Sequence, residues 1–108
     1  MERFVKGDII VANFYFFDAN ITKRRPACVL ADDNNEVVLA EITTKSRGID
    51  DILLKKVDFQ QGFLREESWL RPFRLFTLHK SNVLYKIGHL KKNKIAGIIG
   101  VICGFLRK

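Results

Sequence analysis

Apolar and polar positions along the chain form short blocks of β character, followed by one block of helical period. Lys6-Gly7-Asp8 is a turn signal, and Ile9 to Asn13 reads as a first strand opening on three β-branched residues. In Phe14-Tyr15-Phe16-Phe17 successive side chains take opposite faces, so either Phe14 and Phe16 or Tyr15 and Phe17 are buried. Asp18 to Thr22 is a polar loop that leads into Lys23-Arg24-Arg25-Pro26. An apolar strand, Ala27 to Ala31, starts there. Pro26 marks its edge because proline has no N–H to give, and it holds Arg25 extended. Asp32-Asp33-Asn34-Asn35 is a turn by composition, so Val37 to Ile42 returns as the hairpin partner. Ile52-Leu53-Leu54 reads as a short fourth strand, and Asp58 to Glu67 is turn-rich. Ser68-Trp69-Leu70 and Leu75 to Leu78 read as two more strands, separated by Arg71-Pro72, with Val83 to Ile87 last and closed by Gly88.

Beyond Gly88 the period changes. Ile95, Ile98, Ile99, Ile102, Phe105 and Leu106 share one helix face. Gly97, Gly100 and Gly104 lie in the same segment and each costs up to about 1 kcal/mol against alanine, so packing must hold this helix. Short strands at close spacing followed by one helix predict a mainly β fold, a small curled barrel with a C-terminal helix, in a single domain spanning residues 1–108.

Charge narrows the class of partner. The chain has 108 residues and a net charge of +7, which favours a polyanion such as nucleic acid, an acidic protein or a membrane surface. The longest apolar run, Ile95 to Leu106, is too short to span a bilayer, and Met1 to Lys6 lacks the apolar core of a signal peptide. The two cysteines, Cys28 and Cys103, sit in apolar runs far apart, as core thiols in a reducing compartment do. A cytoplasmic protein with no membrane contact is expected, with neither a disulfide framework nor a Cys/His cluster for a metal.

Two strand ends carry the candidate chemistry. Lys23-Arg24-Arg25 precedes one strand and Thr43-Thr44 closes the next. If those strands are neighbours, guanidinium and hydroxyl groups gather on one rim of the sheet, a pairing suited to a phosphodiester. Read alone, the same residues also fit a solvated basic turn and a hydrogen-bonded strand end. His79 and His89 are the only histidines and read as surface or turn residues, while Glu41 lies beside the site as a possible base.

Taken in order, Lys6-Gly7-Asp8-Ile9-Ile10, the Phe14-to-Asp18 segment, Lys23-Arg24-Arg25-Pro26-Ala27-Cys28-Val29-Leu30, Ile42-Thr43-Thr44, Ser68-Trp69-Leu70-Arg71 and Leu75-Phe76-Thr77-Leu78 resemble the MazF/PemK toxins of type II toxin–antitoxin modules. The resemblance implies an SH3-like barrel with a C-terminal helix, acting as a homodimer. It implies an endoribonuclease that needs no metal or cofactor, cuts single-stranded RNA, usually mRNA, at short sequences, and is neutralised by a cognate antitoxin. The family's catalytic arginine maps onto Arg25, its catalytic threonine onto Thr43, and a further arginine of some members onto Arg71. The acidic residue of some members maps onto Phe73, which removes a carboxylate from that position. Tyr15 replaces a common proline and Ala31 a frequent serine.

On this reading Arg25 stabilises charge on the phosphate and Thr43 donates a hydrogen bond to it. Lys23 and Arg24 guide the RNA backbone, Thr44 and Arg71 line the groove, and Tyr15 and Phe17 stack bases or contact a second protein. Two alternatives share the barrel: a toxin that inhibits a protein target such as gyrase and cuts nothing, and a non-catalytic RNA-binding module.

Overall fold

A computed structural model of the chain describes residues 3–16 and 18–108. Seven strands and one helix follow in chain order: β1 (Asp8–Phe16), β2 (Ile21–Asp32), β3 (Glu36–Thr43), β4 (Ile52–Leu54), β5 (Phe59–Gly62), β6 (Ser68–His79), β7 (Val83–Leu90) and α1 (Lys92–Leu106). They form one curled antiparallel sheet in the order β4-β6-β3-β2-β1-β7-β5, with α1 at the C-terminal end. This is the mainly β fold with a terminal helix that the apolar pattern predicts.

The three central strands are apolar on both faces, as strands covered on both sides must be. Ile9, Cys28, Ala40 and Ile42 belong to one core cluster with Leu70 and Leu90, closed by Ile98 and Ile102 of α1. Their alternate neighbours Ile10, Ala12, Phe14, Ala27, Val29, Val37 and Leu39 form a second cluster with Phe4. Phe14 is thus the inward member of the aromatic run, and Tyr15 is exposed. Phe17 lies outside the described residues. Burial pushes the Cys28 thiol up to about 12, with the nearby Asp8 charge adding to it, so this cysteine is inert packing.

Several strands run further than local pattern indicates. The basic cluster is not in a loop: Lys23 to Pro26 are inside β2, paired with β1 through Phe14–Lys23, Asn13–Arg24, Ala12–Arg25 and Val11–Pro26. The β2–β3 ladder stops at Ala27, and Pro26, with no N–H to offer, stands just past its end. Ser68–Leu70 and Leu75–Leu78 belong to a single strand, β6. Its ladder with β3 jumps from Ala40–Leu75 to Glu41–Arg71, leaving Pro72, Phe73 and Arg74 as a bulge. Gly88 does not close the last strand but lies within it, where β5 passes so close that a side chain would meet the Gln61 carbonyl.

The Gly-Asp start is structural. Gly7 has φ +98°, open only to glycine at low cost, and its carbonyl accepts from the Leu90 amide. Asp8 is buried and its carboxylate binds the Val5 amide, Nδ1 of His89 at 2.8 Å and Nζ of Lys86 at 3.2 Å.

At the far end of the sheet Asp32 and Lys80 form an ion pair at 2.8 Å with both side chains 4% exposed. The Lys80 hydrogen bond, then the Phe4 and Asn34 amides, hold the Asp32 carboxyl well below its ordinary value of 3.8. A depressed carboxyl adds stability that is complete above the unfolded value and fades as pH falls toward the folded one. Urea midpoints should therefore fall as the solution is acidified below about pH 4, and Asp32→Asn should flatten that acid limb. Parallel limbs in wild type and variant would contradict it.

Candidate active site

The second core cluster turns charged toward one end of the sheet without changing face. On β2 the inward row Val29, Ala27 continues as Arg25 and Lys23. On β3 the row Val37, Leu39 continues as Glu41 and Thr43, and on β1 Phe14 continues as Phe16. Ala27 pairs with Glu41 at the end of the β2–β3 ladder, and Arg25 and Thr43 stand two residues beyond that pair on their strands. Glu41 in turn pairs with Arg71 of β6, and Thr43 with Trp69.

These side chains line a cleft of about 300 Å³ together with Arg47, Arg74 and the turn residues Asp18, Ala19 and Ile21. Five cations thus face two carboxylates, Asp18 and Glu41, so positive charge dominates the cleft. A second cleft, of about 290 Å³ and lined by Gly48, Asp50, Asp51, Pro72 and Phe73, shares Arg71 and Arg74 with the first.

Arg25 is half-buried, with its guanidinium 5.8 Å from the Phe16 ring centre. Arg74 lies 5.5 Å from the Phe76 ring. Glu41 draws both bulge arginines together: Nη1 of Arg71 is 3.7 Å and Nε of Arg74 is 3.8 Å from its Oε2. Nε of Arg71 is also 3.5 Å from Oδ1 of Asp51 and has no hydrogen-bond partner in its buried position. Burial pushes the Asp51 carboxyl up. The Arg47 and Gly48 amides, the Ser46 hydroxyl and the Arg71 charge outweigh that and bring it below the usual carboxylate range.

Thr43 is buried, and its hydroxyl donates to the Lys45 carbonyl at 3.1 Å and accepts from the Lys45 amide at 3.2 Å. It shapes the turn that carries Arg47 to the cleft.

The sequence-predicted residues divide accordingly. Lys23, Arg25, Thr43 and Arg71 come together. Arg24 does not line the cleft, because alternation along β2 sends it to the opposite face from Lys23 and Arg25. Thr44 is exposed beyond the end of β3, and Tyr15 is on the opposite face of β1, its hydroxyl bonded to Asn20. The described aromatic of the cleft is Phe16. Phe73 stacks on Phe105 of α1, with ring centres 4.0 Å apart. His79 is bonded to Ser81 and His89 to Asp8, so neither reaches the cleft. Arg47 and Arg74 are the cations that local pattern misses. The one signal for Arg74 is Pro72, since a proline inside a strand run demands a bulge or an edge. Among the described residues no group of three or more His, Cys, Asp or Glu is placed to hold a metal, and no helix is long and apolar enough to cross a membrane.

Known proteins match this fold. Toxin MazF-mt6 of Mycobacterium tuberculosis superposes with a TM-score of 0.69 at 22% identity, over 88% of this chain and 91% of that one. The MazE–MazF crystal structure from Deinococcus radiodurans gives 0.73 at 16% identity, over 94% of each chain. A mycobacterial endoribonuclease in complex with its cognate antitoxin gives 0.63 at 14% identity, over 94% and 96%. Among curated protein sequences none matches the chain. The family model of the PemK-like, MazF-like toxins does match, from residue 5 to residue 106. With a curled seven-stranded sheet, a C-terminal helix and that match over nearly its whole length, the chain belongs to the PemK-like, MazF-like toxins of type II toxin–antitoxin systems.

Proposed function

We propose that this toxin is a cytoplasmic, sequence-specific endoribonuclease that cuts single-stranded RNA, chiefly mRNA. The reading rests on one observation: Arg25 and Thr43 line one cleft together with Arg71 and Arg74. RNA carries its own nucleophile, the 2′-OH. In-line attack leaves a 2′,3′-cyclic phosphate and a 5′-OH and needs neither a metal nor a water nucleophile at that step. Arg25 offers a planar fork to two phosphate oxygens where charge develops. Lys23, Arg47, Arg71 and Arg74 hold neighbouring phosphates, and the two clefts that meet at Arg71 and Arg74 give room for more than one nucleotide. Thr43 exchanges its Lys45 carbonyl for a phosphate oxygen as RNA enters.

A cognate antitoxin with an acidic segment suits the +7 charge and would cover the same cleft; that the mycobacterial endoribonuclease was solved with its cognate antitoxin, and the Deinococcus protein as MazE–MazF, supports a partner of this kind. The exposed apolar side of α1, with Val101, Phe105 and Leu106, supports a homodimer.

Purified protein incubated with RNA in EDTA should yield fragments ending in 2′,3′-cyclic phosphate and 5′-OH. Thr43→Ala should cut at the same positions about five- to tenfold more slowly, the worth of one neutral hydrogen bond. RNA left intact by wild type would overturn the reading.

A further inference from the structure

Cutting by a 2′-OH requires somewhere for its proton to go, and the cleft offers few acceptors. The arginines stay protonated, and the Thr43 hydroxyl is engaged with Lys45. Both histidines are bonded elsewhere. Asp18 is exposed on the turn between β1 and β2. Glu41 is on the strand at the centre of the cleft, in the row beside Arg25 and Thr43, with its side chain 12% exposed. We infer that Glu41 is the catalytic base that takes the proton from the attacking 2′-OH, an assignment that rests on the ribonuclease reading.

The surroundings suit that role. Both recorded ion pairs of Glu41, from Arg71 and Arg74, run to Oε2 and hold the carboxylate in one orientation. Its charged neighbours are Lys23 and Arg25 from β2, Arg71 and Arg74 from β6, Arg47 from the loop after β3, and Asp18 from the turn after β1. Asp51 stands behind Arg71. An RNA phosphate shared by Arg25 and Arg71 offsets that positive field as substrate binds and leaves the carboxylate facing the 2′-OH. The proton of the 2′-OH passes to Glu41, O2′ bonds to phosphorus, and the P–O5′ bond breaks. The departing 5′-oxygen takes a proton from water in the open cleft. The hydroxide so formed is neutralised by the proton that Glu41 returns, so no net proton is consumed.

The test is the pH profile of kcat/KM on an RNA oligonucleotide, for wild type and Glu41→Gln, with binding of a 2′-O-methyl oligonucleotide measured beside it. Wild type should show an acidic limb of unit slope. Glu41→Gln should cut about a hundredfold more slowly with that limb gone. It should bind the uncleavable strand at least as tightly, having lost a negative charge beside the phosphates. A slower variant that keeps the acidic limb has lost positioning only, and the inference falls. So does a variant that cuts at the wild-type rate. If Glu41→Gln does not bind, Glu41→Asp and Glu41→Ala decide. A rate that is reduced in Glu41→Asp and, in Glu41→Ala, is restored by added carboxylates in the order of their basicity supports the base, and an unchanged rate in Glu41→Asp or no such rescue in Glu41→Ala overturns it. If wild type cuts nothing at any pH, the ribonuclease reading itself has failed and takes this one with it.

Discussion

Arg25→Ala should lower RNA cleavage by between a hundred- and a thousandfold while leaving the thermal unfolding midpoint nearly unchanged. One pre-organised donor aimed at developing charge contributes about 3–4 kcal/mol to barrier lowering. Arg25 meets that description: its guanidinium is half-buried against Phe16, in a cleft where positive charges outnumber negative ones. The backbone at this position does not depend on the side chain, since Ala12 opposite is small and the β1–β2 ladder continues on both sides. Arg25→Lys should recover only part of the rate, because an ammonium keeps the charge but loses the two-pronged geometry. Arg24→Ala is the informative control. It removes the same charge one residue away on the other face and should slow cleavage severalfold at most, through weaker long-range attraction. Equal losses from both alanine variants would show that the cleft assignment is wrong.

Phe14→Ala should destabilise the fold by about 3–5 kcal/mol, the usual cost of deleting a buried phenyl ring. Phe14 is 2% exposed and meets the edge of Phe76 at 4.9 Å, among Ile10, Ala12, Val29 and Leu39. Domains of this size hold about 5–15 kcal/mol in total, so the variant should melt about 10 °C lower or more, with an unchanged urea m-value. The loss should reach the cleft as well. Phe76 also contacts Phe16 and carries Arg74 on its face, and Phe16 carries Arg25. Tyr15→Ala, one residue on and on the exposed face, should cost under about 1 kcal/mol. A melting shift as large as that of Phe14→Ala would reverse the face assignment for β1.

Much of this was readable from the chain alone. Consecutive apolar residues from Ala27 to Leu30 announce a strand, and the period of Ile95 to Ile102 announces a helix, because both patterns arise within one element. The end of β3 at Thr43 was visible for the same reason. Strand ends in the basic cluster and in β6 were not. Lys23 to Pro26 carry no strand signal of their own and are extended because β1 pairs with them. Ser68 to His79 is continuous because β3 pairs across the bulge.

The cleft depended on pairing between strands far apart in the chain. Residue types alone determined a small β domain with a net charge of +7, and offered an arginine and a threonine as candidates that would meet only if their strands were neighbours. Tertiary structure decided that Lys23 and Arg25 face the cleft while Arg24 does not. It decided that a three-residue bulge adds Arg74 beside Arg71, that Glu41 sits between the two arms, and that the Thr43 hydroxyl is tied to Lys45. The physical reason is that side-chain direction in a sheet alternates with every residue, so a register set by distant partners decides which of two adjacent cations faces the cleft.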